Sequence, residues 1–171
     1  MRKVSIGASL LLCGAITAWG ASVKPLQVPL KDASGADVGT VTFSKGSKTV
    51  DVKVALKGLP AGEHGIHVHQ GTSCTPPDFQ SAAGHLNPTS KHHGFDNPEG
   101  HHAGDFPMSV KVAADGKGKA TFHSSDLSFD PASPASILGK TVVVHELVDD
   151  QKTDPAGASG KRIACGVIPT M

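Results

Sequence analysis

The chain has no tyrosine, a single tryptophan (Trp19) and only three cysteines in 171 residues. It also lacks an excess of either charge, with 16 Lys and Arg against 15 Asp and Glu and a formal net charge of +1. That balance excludes attachment to nucleic acid by bulk basicity, and equally a polyacidic tail. No Gly-x-Ser-x-Gly elbow occurs, so that type of nucleophile is absent. Gly139-Lys140-Thr141 has Pro134 where a phosphate-binding loop needs a further glycine, which removes the nucleotide-binding reading. Neither an internal repeat nor a sustained helical pattern is found. What is plentiful is glycine (20), proline (12) and histidine (10), with short β-branched runs between them. Such a composition argues against a helical bundle, and ten histidines in so short a chain need a reason.

The N-terminus reads Met1-Arg2-Lys3, then an apolar stretch from Val4 to Ile16, then small residues around Trp19. A basic start, a short apolar core and a small-residue site predict a secretory leader, residues 1–20, cleaved after Gly20. The stretch is shorter than the roughly 20 apolar residues of a membrane span and carries Ser5, Ser9 and Gly14. Cys13 follows Leu12 where a lipidated cysteine needs a small residue before it, so a lipoprotein is not expected. Removal of the leader leaves one domain, residues 21–171, with 14 basic and 15 acidic side chains and neither Trp nor Tyr. Cys74 and Cys165 are then the only cysteines, and in an oxidising compartment they are expected to pair.

From Leu26 to His69 the pattern has period two, interrupted by turns. Runs at Leu26–Lys31, Val38–Phe43, Thr49–Leu56 and Gly65–His69 predict four strands. Four more are expected at Met108–Ala113, Lys119–His123, Lys140–Leu147 and Arg162–Ile168. Two long stretches, Gly71–Pro107 and Val148–Lys161, show no period and read as functional loops. The fold class is therefore all-β, an eight-stranded antiparallel barrel or sandwich with two long loops.

The histidines fall where this arrangement gathers them. His67 and His69 are two apart in a strand, so their rings share one face about 7 Å apart. His145 ends the apolar run Val142-Val143-Val144, where an unpaired imidazole is costly. The first loop adds His85, His92, His93, His101, His102 and Asp105. Imidazoles with a single carboxylate suit zinc or copper, not calcium or magnesium. Spacing alone leaves open which member of each adjacent His pair points inward.

Five motifs then occur in one order: Gly65-Ile66-His67-Val68-His69, Gly84-His85-Leu86-Asn87-Pro88, His102-Ala103-Gly104-Asp105, Val144-His145-Glu146 and Arg162-Ile163-Ala164-Cys165-Gly166. Together they resemble copper-zinc superoxide dismutases over about Leu26–Ile168. Pro76-Pro77-Asp78-Phe79 and the leader resemble the bacterial exported, periplasmic branch. The resemblance implies a Greek-key barrel with one copper and one zinc per chain, acting on superoxide to give dioxygen and hydrogen peroxide. It implies copper on His67, His69, His85 and His145, and zinc on His85, His93, His102 and Asp105, with the His85 ring shared. It further implies Asp149 as the carboxylate behind His67 and His93, a Cys74–Cys165 disulfide, and catalytic roles for His85 as proton carrier and Arg162 as anion guide. Lys152 and Lys161 either add to that field or are simply solvated. His64, His92, His101 and His123 match nothing and are expected to be surface or structural. No nucleic acid is implied, nor any membrane once the leader is removed. A monomer and a homodimer remain open, because branches of the family pair through different surfaces. Rival readings are a metal carrier without turnover, a copper-only relative, and an adhesion sandwich; the complete ligand set and Arg162 argue against all three.

Overall fold

A computed structural model describes residues 23–171; the expected leader and Cys13 lie outside the described residues. Nine strands follow in chain order: β1 (Leu26–Asp32), β2 (Asp37–Lys45), β3 (Val50–Leu56), β4 (Gly62–His64), β5 (Ile66–His69), β6 (Val110–Val112), β7 (Gly118–Ser124), β8 (Thr141–His145) and β9 (Arg162–Val167). One 3₁₀ turn, Gln80–Ala82, is the only helical element among the described residues. The strands form a single antiparallel sheet in the order β4-β6-β7-β3-β2-β1-β9-β8-β5. Because β4 and β5 are separated by Gly65 alone, the two ends of the sheet meet and the barrel nearly closes.

The ninth strand is the difference from the sequence expectation. The run expected as one strand at 65–69 begins earlier, at Gly62, and divides at Gly65: β4 pairs with β6, and β5 with β8. Gly65 makes this corner possible. Its N–H donates to Leu147 O, its carbonyl accepts from His145 N, and a Cβ there would stand 3.0 Å from the Ser159 side chain. Alternation of short turns, such as the one at Gly116 (φ 75°), with long crossovers gives the Greek-key connectivity.

Strand parity decides what lies inside. Val28, Leu30, Val41, Phe43, Val52, Val54, Phe122, Val142 and Val144 fill the barrel. β5 and β8 are buried on both faces. Ile66 and Val68 point into the barrel core, so His67 and His69 must face outward. The outward residue Val143 packs with Phe79, Ala82 and Cys165, in a second small core beneath the first loop. The two long loops thus roof one outer wall of the barrel, and the histidines lie under that roof. A Cys74–Cys165 disulfide, Cα–Cα 5.7 Å and 91 residues apart in sequence, ties the first loop to β9.

Phe43 is fully buried between Leu26 and Val52 on the neighbouring strands. Phe43→Ala is expected to destabilise the fold by about 3–5 kcal/mol, read from the midpoint of urea unfolding.

Candidate metal centre

Backbone pairing brings the outward histidines together. In the β5–β8 ladder Ile66 stands opposite Val144 and His67 opposite Val143, which sets His145 beside Gly65 at the strand end. The first loop then folds back: His69 and His85 form an isolated antiparallel bridge, Leu86 N donates to Val68 O, and Val68 N donates to Gly104 O. At Gly104 a Cβ would overlap Val68 O, so only glycine lets the loop lie this close to β5. A register shift between Val144 and His145 places His145 opposite Arg162. Such irregularities re-aim side chains at functional sites.

Two groups of donors result, and His85 belongs to both. His67, His69, His85 and His145 are all buried, with one ligand atom each within 4.8 Å of the others. In the rings of His67, His69 and His145 the second nitrogen is already committed. His67 Nε2 donates to Asp149 Oδ2 (2.7 Å), His69 Nδ1 to Ala83 O (2.9 Å), and His145 Nδ1 to Gly160 O (3.5 Å). These bonds fix the tautomers so that the lone pairs of the other nitrogens converge. His67 Nδ1 and His85 Nε2 are buried without any hydrogen-bond partner, and His69 Nε2 lies 3.4 Å from His145 Nε2.

The second group is His67, His85, His93 and Asp105. His102 stands at its edge, Nδ1 3.3 Å from both His85 Nδ1 and Asp105 Oδ1. His93 Nδ1 is likewise unpartnered, 3.2 Å from Asp105 Oδ2. A tetrahedral zinc with bonds near 2.0–2.1 Å has donors about 3.3 Å apart, close to these spacings. Asp105 is aimed by backbone donors: Gly94 N and His102 N both bond its Oδ2, at 2.9 and 3.0 Å.

Electrostatics differ between the halves. Burial, reinforced by the neighbouring His85, holds His67 and His69 well below the ordinary imidazole range and brings His145 down to about 4. Those rings are neutral donors at neutral pH. Burial also opposes charge on His93, but Asp105 and Asp149 outweigh it and push His93 up to about 9. Against the same burial, hydrogen bonds from the histidines hold both carboxyls well below the usual range. A cation held by the second group would take the place of a proton there.

Asp149 joins the groups: its Oδ2 accepts from His67 and its Oδ1 from His93 (2.9 Å). Its own N–H donates to Ser109 Oγ (2.9 Å). Beside the rings lies a cavity of about 530 Å³, lined by His69, His85, His102, His145, Gln80 and Arg162 among others. Arg162 donates to Phe79 O and Ala83 O at 2.7 and 2.6 Å, on the loop that the disulfide tethers. Histidines apart, it is the only charged side chain among the described lining residues; Lys152 and Lys161 are exposed and do not line it. The unmatched histidines stay outside both groups. His92 bonds Asp154 and Glu99, His101 stacks on Phe95 beside Asp126, and His123 bonds Asp51. His64, though buried, is tied to the carbonyls of His145 and Pro60.

Some contributors left no mark in the sequence pattern. Asp154 accepts from His93 N (2.7 Å) while holding His92 out, which resolves that adjacent pair. Gly157 (φ 63°) lies over the Asp149–His93 bond, where a Cβ would overlap Asp149 Oδ1 and stand 2.6 Å from His93 Nε2. Glycine at such a crossing is legible only once the crossing is known.

Residues 38–168 match the copper/zinc superoxide dismutase (SODC) family. The chain belongs to that family. It is 39% identical to a superoxide dismutase-like protein of Bacillus subtilis, over 82% of this chain and 74% of that one. It is 35% identical to a copper-zinc superoxide dismutase of Deinococcus radiodurans, over 98% and 94%. The copper/zinc superoxide dismutase structure from Brucella abortus superposes with a TM-score of 0.71 at 33% identity, covering 85% of this chain and 99% of that one. As a member of the family the chain is an oxidoreductase whose cofactors are copper and zinc. The orphaned nitrogens of His67, His85 and His93, with Asp105 among them, are a donor set that fits both ions.

Gly157→Ala is expected to push apart Asp149 and His93 and to weaken zinc retention by about 10–100-fold. Competition with a colorimetric chelator measures this directly.

Proposed function

We propose that the chain dismutes superoxide at a copper held by His67, His69, His85 and His145, beside a zinc held by His85, His93, His102 and Asp105. The observation that carries this reading is the two-sided use of one ring. His85 Nδ1 faces Asp105 (2.7 Å) and His102, while its Nε2 is buried and unpartnered in the other group. His102 is favoured over His67 for the zinc because His67 Nε2 is already spent on Asp149. When bound, copper supplies the one-electron cycle that oxidises one superoxide to dioxygen and reduces a second to peroxide, while zinc, with no accessible redox change, supplies fixed positive charge.

The chain's own residues do the rest. His85 Nε2 is the atom at which a proton is held and passed to the reduced substrate. Asp149 keeps the rings of His67 and His93 in one tautomer and one orientation. Arg162, anchored through two carbonyls, presents fixed positive charge to a small anion that offers almost no shape to recognise. A second reading, metal binding without turnover, draws on the similarity to a protein named only superoxide dismutase-like. The presence of Arg162 beside four copper donors favours the enzyme.

We also infer export, to the periplasm or outside the cell. The N-terminal pattern and the Cys74–Cys165 disulfide support it, since such bonds persist in oxidising compartments.

His145→Ala is expected to abolish copper binding and dismutation while zinc stays bound, checked by metal analysis and superoxide consumption on one sample. Arg162→Gln should slow the reaction about tenfold at low ionic strength and flatten its decline with salt. Mass spectrometry of the secreted protein should show a chain starting near Ala21 and lighter by two hydrogens than the dithiol.

A further inference from the structure

Charge is unevenly distributed over the barrel. Seven of the fifteen acidic residues fall in 71–107 and 148–161, the loops around the metal groups, together with only three lysines. Cations gather instead on the outer face of β3, β7 and β6. In the β3–β7 ladder Lys53 opposes Thr121, Ala55 opposes Lys119 and Leu56 opposes Gly118. Val52, Val54 and Phe122 occupy the barrel core, so Lys53 and Lys119 project outward. Continuing that register puts Lys57 alongside Lys117, and the Val112–Gly118 pair puts Lys111 beside Lys119. All five lysines are exposed.

Few carboxylates answer them. Asp115 lies 3.3 Å from Lys117, Glu63 stands opposite Lys111, and Asp51 is engaged by His123. Lys53, Lys57 and Lys119 have no carboxylate within 4.0 Å among the described residues. Outward neighbours in a sheet are about 7 Å apart along a strand and about 5 Å across it. Like charges set so close cost stability unless an anion neutralises them. Between Lys53 and Lys119 the face carries the small residues Ala55 and Thr121, with Thr40 and Thr42 of β2 alongside. It offers no aromatic platform for bases and no apolar wedge for a bilayer. The charge is spread over three strands. The strand order sets β3 across the barrel from β5 and β8, and no residue of β3, β6 or β7 lines the metal cavity.

We propose that the outer face of β3, β7 and β6 binds a linear polyanion of the phosphate class, leaving open the metal cavity, which none of its residues line. Lysine suits that partner because it acts as a compact point charge and demands no particular geometry of the phosphate. The metal-loaded chain is titrated with inorganic polyphosphate, in parallel with vesicles of phosphatidylglycerol. The wild type should bind polyphosphate at low ionic strength and release it in 0.5 M salt, about the Debye screening expected of exposed charges. The triple variant Lys53→Gln, Lys57→Gln, Lys119→Gln should bind about tenfold or more weakly, with unchanged superoxide consumption. The control Lys24→Gln, Lys45→Gln, Lys48→Gln removes equal charge elsewhere and should lose about twofold at most. Equal losses in both variants, no loss in either, no binding by the wild type, or binding to the vesicles alone would each overturn the proposal.

Discussion

Everything at this site depends on how each imidazole spends its second nitrogen. A histidine brings two nitrogens, and a ring free to choose its tautomer is a poor ligand. Here Asp149, Ala83 O and Gly160 O each take one N–H, so the opposite lone pairs of His67, His69 and His145 have a single place to point. His85 is the exception, because both of its nitrogens face donor groups. The barrel supplies what these bonds require: a wall in which parity turns His67 and His69 outward, and a roof of loops that buries the rings.

The roof is a construction of glycines and one covalent tie. Gly104 lets the first loop lie on β5, Gly65 turns the chain at the barrel corner, and Gly157 allows the second loop to cross over Asp149. The disulfide secures the first loop to β9 a few residues from Arg162, and that loop's carbonyls hold the guanidinium. In the proposed function, selectivity for a small anion and ligation of the metals would therefore draw on the same few backbone contacts.

Much of this was legible in the sequence because period-two strands and ligand motifs are local signals. The outward pair His67 and His69, the buried His145 and the two long loops could be read directly; the partition of donors between two metals is what the family resemblance implies, and the second donor group holds His67 with His102 at its edge. Less could be read where the cause is distant. Nothing around residue 92 says which of two adjacent histidines turns inward; Asp154, about sixty residues later, decides it. The split of one strand into β4 and β5 at Gly65 follows from pairing with two different strands, one on each side of the corner. Lys152 and Lys161 looked like candidates for the anion path because they share a loop, yet only Arg162 reaches the cavity. Loop membership fixes sequence distance, not direction.

The central claim is that one ring serves two ions at once. Substituting a second cupric ion for zinc places an unpaired electron on each side of His85, and the paramagnetic resonance signal reports whether they communicate. A shared imidazole couples the two spins, so the account predicts loss of most of the ordinary cupric signal, with recovery when the second site is refilled with zinc. Two full, independent cupric signals would contradict it.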